Sequence, residues 1–228
     1  MSRLAEISRN LAAVQKRIDT AAVGVGRNSR DITLIAVTKN FPLSDAQILY
    51  DLGIRNFGEN RDQEGALKSK ELPADLRWHF QGQVQGRKIK SIASWADSVH
   101  SLDSLEHARK FGALLGSGVE EFFIQVNLEP ERLDRGGVAS SGVESFLTEL
   151  RDQAAVTPSG LMTVAPLGMA ASAAFIELRR LQLGLSKTFP ALKSLSMGMS
   201  GDFEAAVRAG ATHLRIGSSI LGSRGVPA

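Results

Sequence analysis

Apolar positions along this chain fall into two rhythms. Near the N-terminus, Leu4, Ile7, Leu11 and Val14 recur at helical spacing among Arg3, Glu6, Arg9 and Lys16, which predicts an amphipathic helix. Short strand-like segments follow at 32–39, 56–60, 76–82, 97–102, 121–127, 158–164, 192–198 and 212–217, of which 32–39 is nearly continuously apolar and 121–127 strongly apolar. Runs of that length without strict alternation suit parallel strands covered on both faces. Helical patterns separate them. Ser44 and Gln47 have the spacing of a capping box, Asp103 stands three residues before Glu106, Ser200 can cap a helix over 202–209, and Gly53 and Gly210 act as stops. Eight strands alternating with helices through short loops predict an α/β fold, a single (β/α)₈ barrel spanning 1–228. A doubly wound sheet is the alternative. It would place a glycine-rich turn after the first strand, where this chain has Lys39-Asn40-Phe41-Pro42.

Functional groups of such barrels gather at the C-terminal ends of the strands. Here those ends carry Lys39, Glu59, Asn60, His79, Gln81, Asn127, Met162, Thr163, the 196–200 segment and the 215–219 segment. They supply one amine, one guanidinium, hydroxyls and amides, without paired carboxylates. The four histidines show no metal-ligand spacing. Alternation places Ile35, Val37 and Lys39 on one face, and His213, Arg215 and Gly217 on another that turns inward if Leu214 and Ile216 pack on outer helices. An inward arginine needs an acceptor: a ring nitrogen, an anionic ligand, or a salt bridge to Glu59. Glycines and serines after the last two strands suit a phosphate, since loops there expose backbone N–H groups, although they equally suit plain turns. Amine, guanidinium and phosphate cradle together suggest an aldehyde cofactor bearing a phosphate, and pyridoxal 5'-phosphate fits. A phosphosugar aldolase would use similar groups, with Glu59 as its acid or base.

Composition narrows the field further. The 228 residues are 43% hydrophobic and 22% charged, ordinary for a globular domain. Absence of cysteine removes disulfides and thiolate metal sites and fits a cytoplasmic protein. A net charge of +3, an aromatic content of 6% and a basic run at 87–90 without interleaved aromatics argue against nucleic-acid binding. No apolar run is long enough to cross a membrane, and the N-terminal helix is no signal peptide.

Motifs in fixed order add a resemblance. Ala36-Val37-Thr38-Lys39, Phe57-Gly58-Glu59-Asn60, Trp78-His79-Phe80-Gln81-Gly82, Gly160-Leu161-Met162-Thr163, Leu195-Ser196-Met197-Gly198-Met199-Ser200 and Arg215-Ile216-Gly217-Ser218 resemble the pyridoxal-phosphate homeostasis proteins, relatives of the N-terminal domain of bacterial alanine racemase. The resemblance implies a fold-type III barrel with the cofactor as a Schiff base on Lys39. It also implies Arg215 at the pyridine nitrogen, the phosphate near Ser200, Gly217 and Ser218, and Asn60, His79 and Met199 around the ring. The implied role is a cytoplasmic, monomeric carrier in vitamin B6 balance, with amino acids and pyridoxal-phosphate-dependent apoenzymes as further partners. The alternative from the same relatives is an amino-acid racemase. It lacks support in the sole tyrosine, Tyr50, which falls on a predicted helix away from the strand ends. Arg61, Gln83, Arg87 and the 133–137 loop depart from the family's usual residues, so functions of the rim lie outside what the resemblance implies.

Overall fold

The computed structural model describes residues 2–114, 116, 118–131 and 135–222. Eight strands form one closed parallel sheet: β1 (Thr33–Val37), β2 (Asn56–Glu59), β3 (Arg77–Phe80), β4 (Ser98–Leu102), β5 (Glu121–Asn127), β6 (Gly160–Met162), β7 (Ser194–Ser196) and β8 (His213–Ile216). Neighbours follow chain order, and β8 pairs back onto β1 with Thr33 opposite His213 and Ile35 opposite Arg215. This is the expected barrel. A two-residue strand, Val138–Ala139, extends the end of β5; no apolar run marked it.

The sequence places its apolar side chains in two layers. Ala36, Phe57, Leu161, Leu195, Leu214 and Ile216 point outward into one continuous core beneath the helices. Those helices are α1 (Arg3–Val23), α2 (Leu43–Asp51), α3 (Asp62–Glu71), α4 (Ile89–Ile92), α5 (Leu105–Gly112), α6 (Val143–Gln153), α7 (Ala171–Leu185), α8 (Phe203–Arg208) and α9 (Ser218–Leu221). Ile35, Val37, Phe123 and Met162 are buried but stand apart from that core, inside the barrel. Helix α1 buries Ile7, Leu11, Val14 and Ile18, each contributing about 1.5–3 kcal/mol relative to exposure, whereas Leu4 remains exposed. It packs against α2, α8 and α9 and so covers the seam where β1 meets β8.

None of the three expected caps sits where the pattern put it: Ser44 falls inside α2, and Asp103 and Ser200 bond elsewhere. Helix α2 begins at Leu43 behind Pro42 with no side-chain cap, and Asp45 is buried against Arg3, with its Oδ2 2.5 Å from Nη2. A fixed proline φ already sets the helix entry, leaving Asp45 to the ion pair. Helix α5 is capped by Ser104, while Asp103 accepts the Gly137 N–H at 3.0 Å. At α8 the N-cap position is Asp202, which accepts from Met199 N at 2.6 Å; Ser200 Oγ instead accepts the Ser219 N–H at 3.1 Å, inside the first turn of α9.

Candidate functional site

Strand β1 delivers Lys39 into a turn held from both sides. The Thr38 N–H extends the sheet to Gly58 O at 3.0 Å, and the Phe41 N–H closes the turn onto Thr38 O at 3.0 Å. Asn40 takes a left-handed φ of 62°, which asparagine tolerates better than most side chains, and its N–H donates to Glu64 at 2.8 Å. Below the turn, Lys68 Nζ donates to Thr38 O at 2.8 Å and to Glu59 Oε1 at 2.7 Å, and the Thr38 hydroxyl donates to the same oxygen at 2.6 Å. Glu59 is fully buried, and desolvation pushes its carboxyl up despite Lys68. The pairing of Glu59 with Arg215 left open by the sequence is therefore not made. Lys68, on the helix that follows β2, takes that carboxylate instead.

Arg215 points into the barrel, as the alternation of β8 requires, and is buried. Its Nη1 donates to Ser196 Oγ at 2.7 Å and its Nη2 to the Thr163 carbonyl at 2.9 Å. Both acceptors are neutral. Burial pulls the guanidinium down to about 10, partly offset by Asp202, so it keeps its charge at neutral pH. Beneath it, Ser196 Oγ lies 2.7 Å from His100 Nδ1, His100 Nε2 lies 2.9 Å from His79 Nδ1, and His79 Nε2 lies 3.0 Å from Asn56 Oδ1. Desolvation holds His79 and His100 well below the ordinary imidazole value and brings His213 down to about 4.

Above these groups, at the C-terminal end of the barrel, opens a cavity of about 470 Å³, within the size range of small-ligand sites. It brings together Lys39, Asn60, Met199, Ser200, Arg215, Gly217 and Ser218, seven of the eight residues expected at a cofactor. His79 is not on its wall; it lies deeper in the barrel and connects to Arg215 only through His100 and Ser196. Gly198, with φ of 94°, permits the turn that carries Met199 and Ser200 to the rim, and a Cβ there would sit 2.5 Å from Ala206 Cβ.

Two strand-end residues were absent from the expected cofactor set. Gln81 lines the cavity, and its Nε2 is buried with no hydrogen-bond partner among the described residues. It lies where a side chain on Gly58 would collide with it. Its place at the end of β3 was the available signal. Ser196, the acceptor for Arg215, was marked only as part of the 196–200 strand end and of a motif. The departures at Arg61, Gln83 and Arg87 line a neighbouring cleft of about 270 Å³ that shares Asn60; Leu133 and Asp134 lie outside the described residues. No group of three or more histidines or carboxylates among the described residues could hold a metal, and none of their helices is long and apolar enough to cross a membrane.

Residues 3–225 match the family model described as alanine racemase, N-terminal domain. Proteins named pyridoxal phosphate homeostasis protein are similar over nearly their whole length. The one from Corynebacterium glutamicum is 38% identical over 92% of this chain and 99% of its own, and that from Mycobacterium leprae 35% identical over 96% and 93%. Among solved structures, PipY of Synechococcus elongatus with pyridoxal phosphate bound superposes with a TM-score of 0.80 at 33% identity, covering 95% of this chain and all of that one. Alanine racemase from Corynebacterium glutamicum shares the fold, with a TM-score of 0.69 at 18% identity, and this chain covers 62% of it.

Proposed function

We infer the function of this chain from its kinship: it belongs to the alanine racemase N-terminal domain family. On that premise it binds pyridoxal 5'-phosphate and acts in intracellular homeostasis of that cofactor, holding it for storage or transfer. The observation that carries the reading is the single cavity in which Lys39, Arg215 and the Ser200–Gly217–Ser218 wall face one another. The residues present fit the group. A buried guanidinium with only neutral partners suits a ring nitrogen, and the unpaired Gln81 Nε2 is a donor awaiting an oxygen. Lys39 supplies the amine for covalent attachment, Arg215 donates towards the ring nitrogen, Ser200, Gly217 and Ser218 hold the phosphate, and Asn60 and Met199 flank the ring. Bound there, the cofactor supplies an electrophilic aldehyde conjugated to an electron-withdrawing ring.

Racemisation would need an acid/base on each face of a substrate carbon. Besides Lys39, no tyrosine, histidine or carboxylate is among the described residues lining the cavity. Tyr50 lies on α2, with Arg55 stacked 4.1 Å from its ring. Arg215, as a permanent donor, also favours an unprotonated ring nitrogen and a weaker electron sink. These features support a cofactor carrier over a racemase. We propose further that the carrier is monomeric and cytoplasmic, with amino acids and apoenzymes competing for the cofactor.

Lys39→Ala decides the central point. The unmutated chain should take up pyridoxal phosphate with a near-ultraviolet or visible band that borohydride fixes to Lys39, and the variant should lose both while remaining folded by circular dichroism. Labelling at Lys88, Lys90 or Lys193 instead would sink the assignment.

A further inference from the structure

We propose that Ser196, His100 and His79 form a hydrogen-bond relay of fixed direction that positions the Arg215 guanidinium and thereby sets how the cavity floor meets a pyridine nitrogen. The role at the ring rests on the pyridoxal-phosphate reading above; the relay itself does not.

The direction follows from the two ends together. Arginine can only donate, so Ser196 Oγ must accept from Nη1 at 2.7 Å. The serine proton is then directed at His100 Nδ1, also at 2.7 Å, which makes that nitrogen an acceptor and puts the proton of a neutral His100 on Nε2. From Nε2 the ring donates to His79 Nδ1 at 2.9 Å, with Ser98 Oγ 3.1 Å from the same atom. His79 must therefore carry its own proton on Nε2, and that nitrogen meets the carbonyl oxygen of Asn56 at 3.0 Å. The opposite direction would set a bare His79 Nε2 against Asn56 Oδ1 and leave the buried Ser196 hydroxyl proton without an acceptor among the described residues.

Packing holds the relay in place. His100 is fully buried and stacks on Phe123 with ring centres 4.3 Å apart and planes 15° apart. Asn56 opens β2 and Ser196 closes β7, so the relay runs from the N-terminal end of the barrel to the cavity floor. Every member is neutral, so Arg215 is ordered without a carboxylate that would compete for its charge. Its charge is left for the cavity. Ser196, His100 and His79 are thus positioning residues, acting on the ring only through Arg215.

Two measurements test this. In the unmutated, cofactor-free chain, nitrogen NMR should find His79 and His100 as neutral Nε2–H tautomers at pH 7; Nδ1–H on His100 would overturn the relay whether or not the chain binds the cofactor. In the loaded chain, Ser196→Ala should shift the absorption maximum and speed cofactor release about tenfold, as expected for a lost bond to a charged group. Ser196→Thr, which keeps the hydroxyl, should restore both. Borohydride labelling of Lys39 in all three chains shows that the cofactor reading holds. With labelling intact, an unchanged spectrum and release rate in Ser196→Ala would overturn the relay's role alone. If the unmutated chain takes up no pyridoxal phosphate, the functional reading fails and the role at the ring fails with it.

Discussion

Ser200 and Ser218 stand on the same cavity wall, yet their hydroxyls are not equivalent. Ser200 Oγ already accepts the Ser219 N–H at the start of α9, whereas Ser218 has no such structural hydrogen bond among the described residues. Removing the Ser218 hydroxyl should weaken retention of a phosphate-bearing ligand about tenfold, the low end for a charge-assisted bond, and leave stability unchanged. Ser200→Ala should weaken retention and also lower the unfolding free energy by about 1 kcal/mol, because a backbone donor loses its acceptor. Ligand titration beside urea denaturation separates the two. Equal behaviour of the two variants in both assays would refute the distinction.

At the scale of elements, the barrel was legible because β1 and β5 announce themselves as apolar runs and short strand-like segments alternate with helical patterns along the rest of the chain, while the side-chain alternation of β8 turned Arg215 inward. What the arginine would touch was not legible. Its acceptors, Ser196 and Thr163, lie near the ends of two other strands, and only the closed register of the sheet brings all three together. His79, His100 and His213 likewise lie on three strands with no common spacing, and their convergence is a property of closure. Two of the misread helix starts share one cause. Asp103 and Ser200 each have the chemistry of a cap, but a tertiary partner (the Gly137 N–H or the Ser219 N–H) claims the side chain first; at α2, Pro42 sets the helix entry ahead of Ser44, which falls inside the helix. The strand Val138–Ala139 escaped because two residues carry no periodicity; pairing with Val126 and Asn127 creates it.

For the molecule as a whole, the histidine-lined interior makes stability depend on pH. His79, His100 and His213 stay neutral in the fold below their ordinary value of about 6.5, so in mild acid the unfolded chain binds protons that the native chain does not. The stabilisation is complete above about pH 6.5 and is lost as pH falls, towards about 4 for His213. Each histidine contributes a slope of up to about 1.4 kcal/mol per pH unit. Glu59 and Asp97, whose carboxyls are pushed up by burial, run the opposite way and offset part of it. Urea midpoints should therefore drop steadily from pH 6.5 to 5, with a shallower drop in His213→Phe; a profile that His213→Phe leaves unchanged would show that His213 titrates normally in the fold. The helix across the seam has a consequence in time. Ribosomes make α1 early, but Phe203 under Arg17, the Ile220 carbonyl bonded to Asn10 and the Leu221 carbonyl bonded to Arg3 emerge some 200 residues later, roughly 10–40 s at ordinary elongation rates. Throughout that interval the stripe of Ile7, Leu11, Val14 and Ile18 has nothing to cover it on the α8 and α9 side. Nascent chains stalled short of residue 203 should be cut within α1 by a protease that spares the finished barrel, and resistance in such chains would mean that α1 finds shelter before the last strands exist.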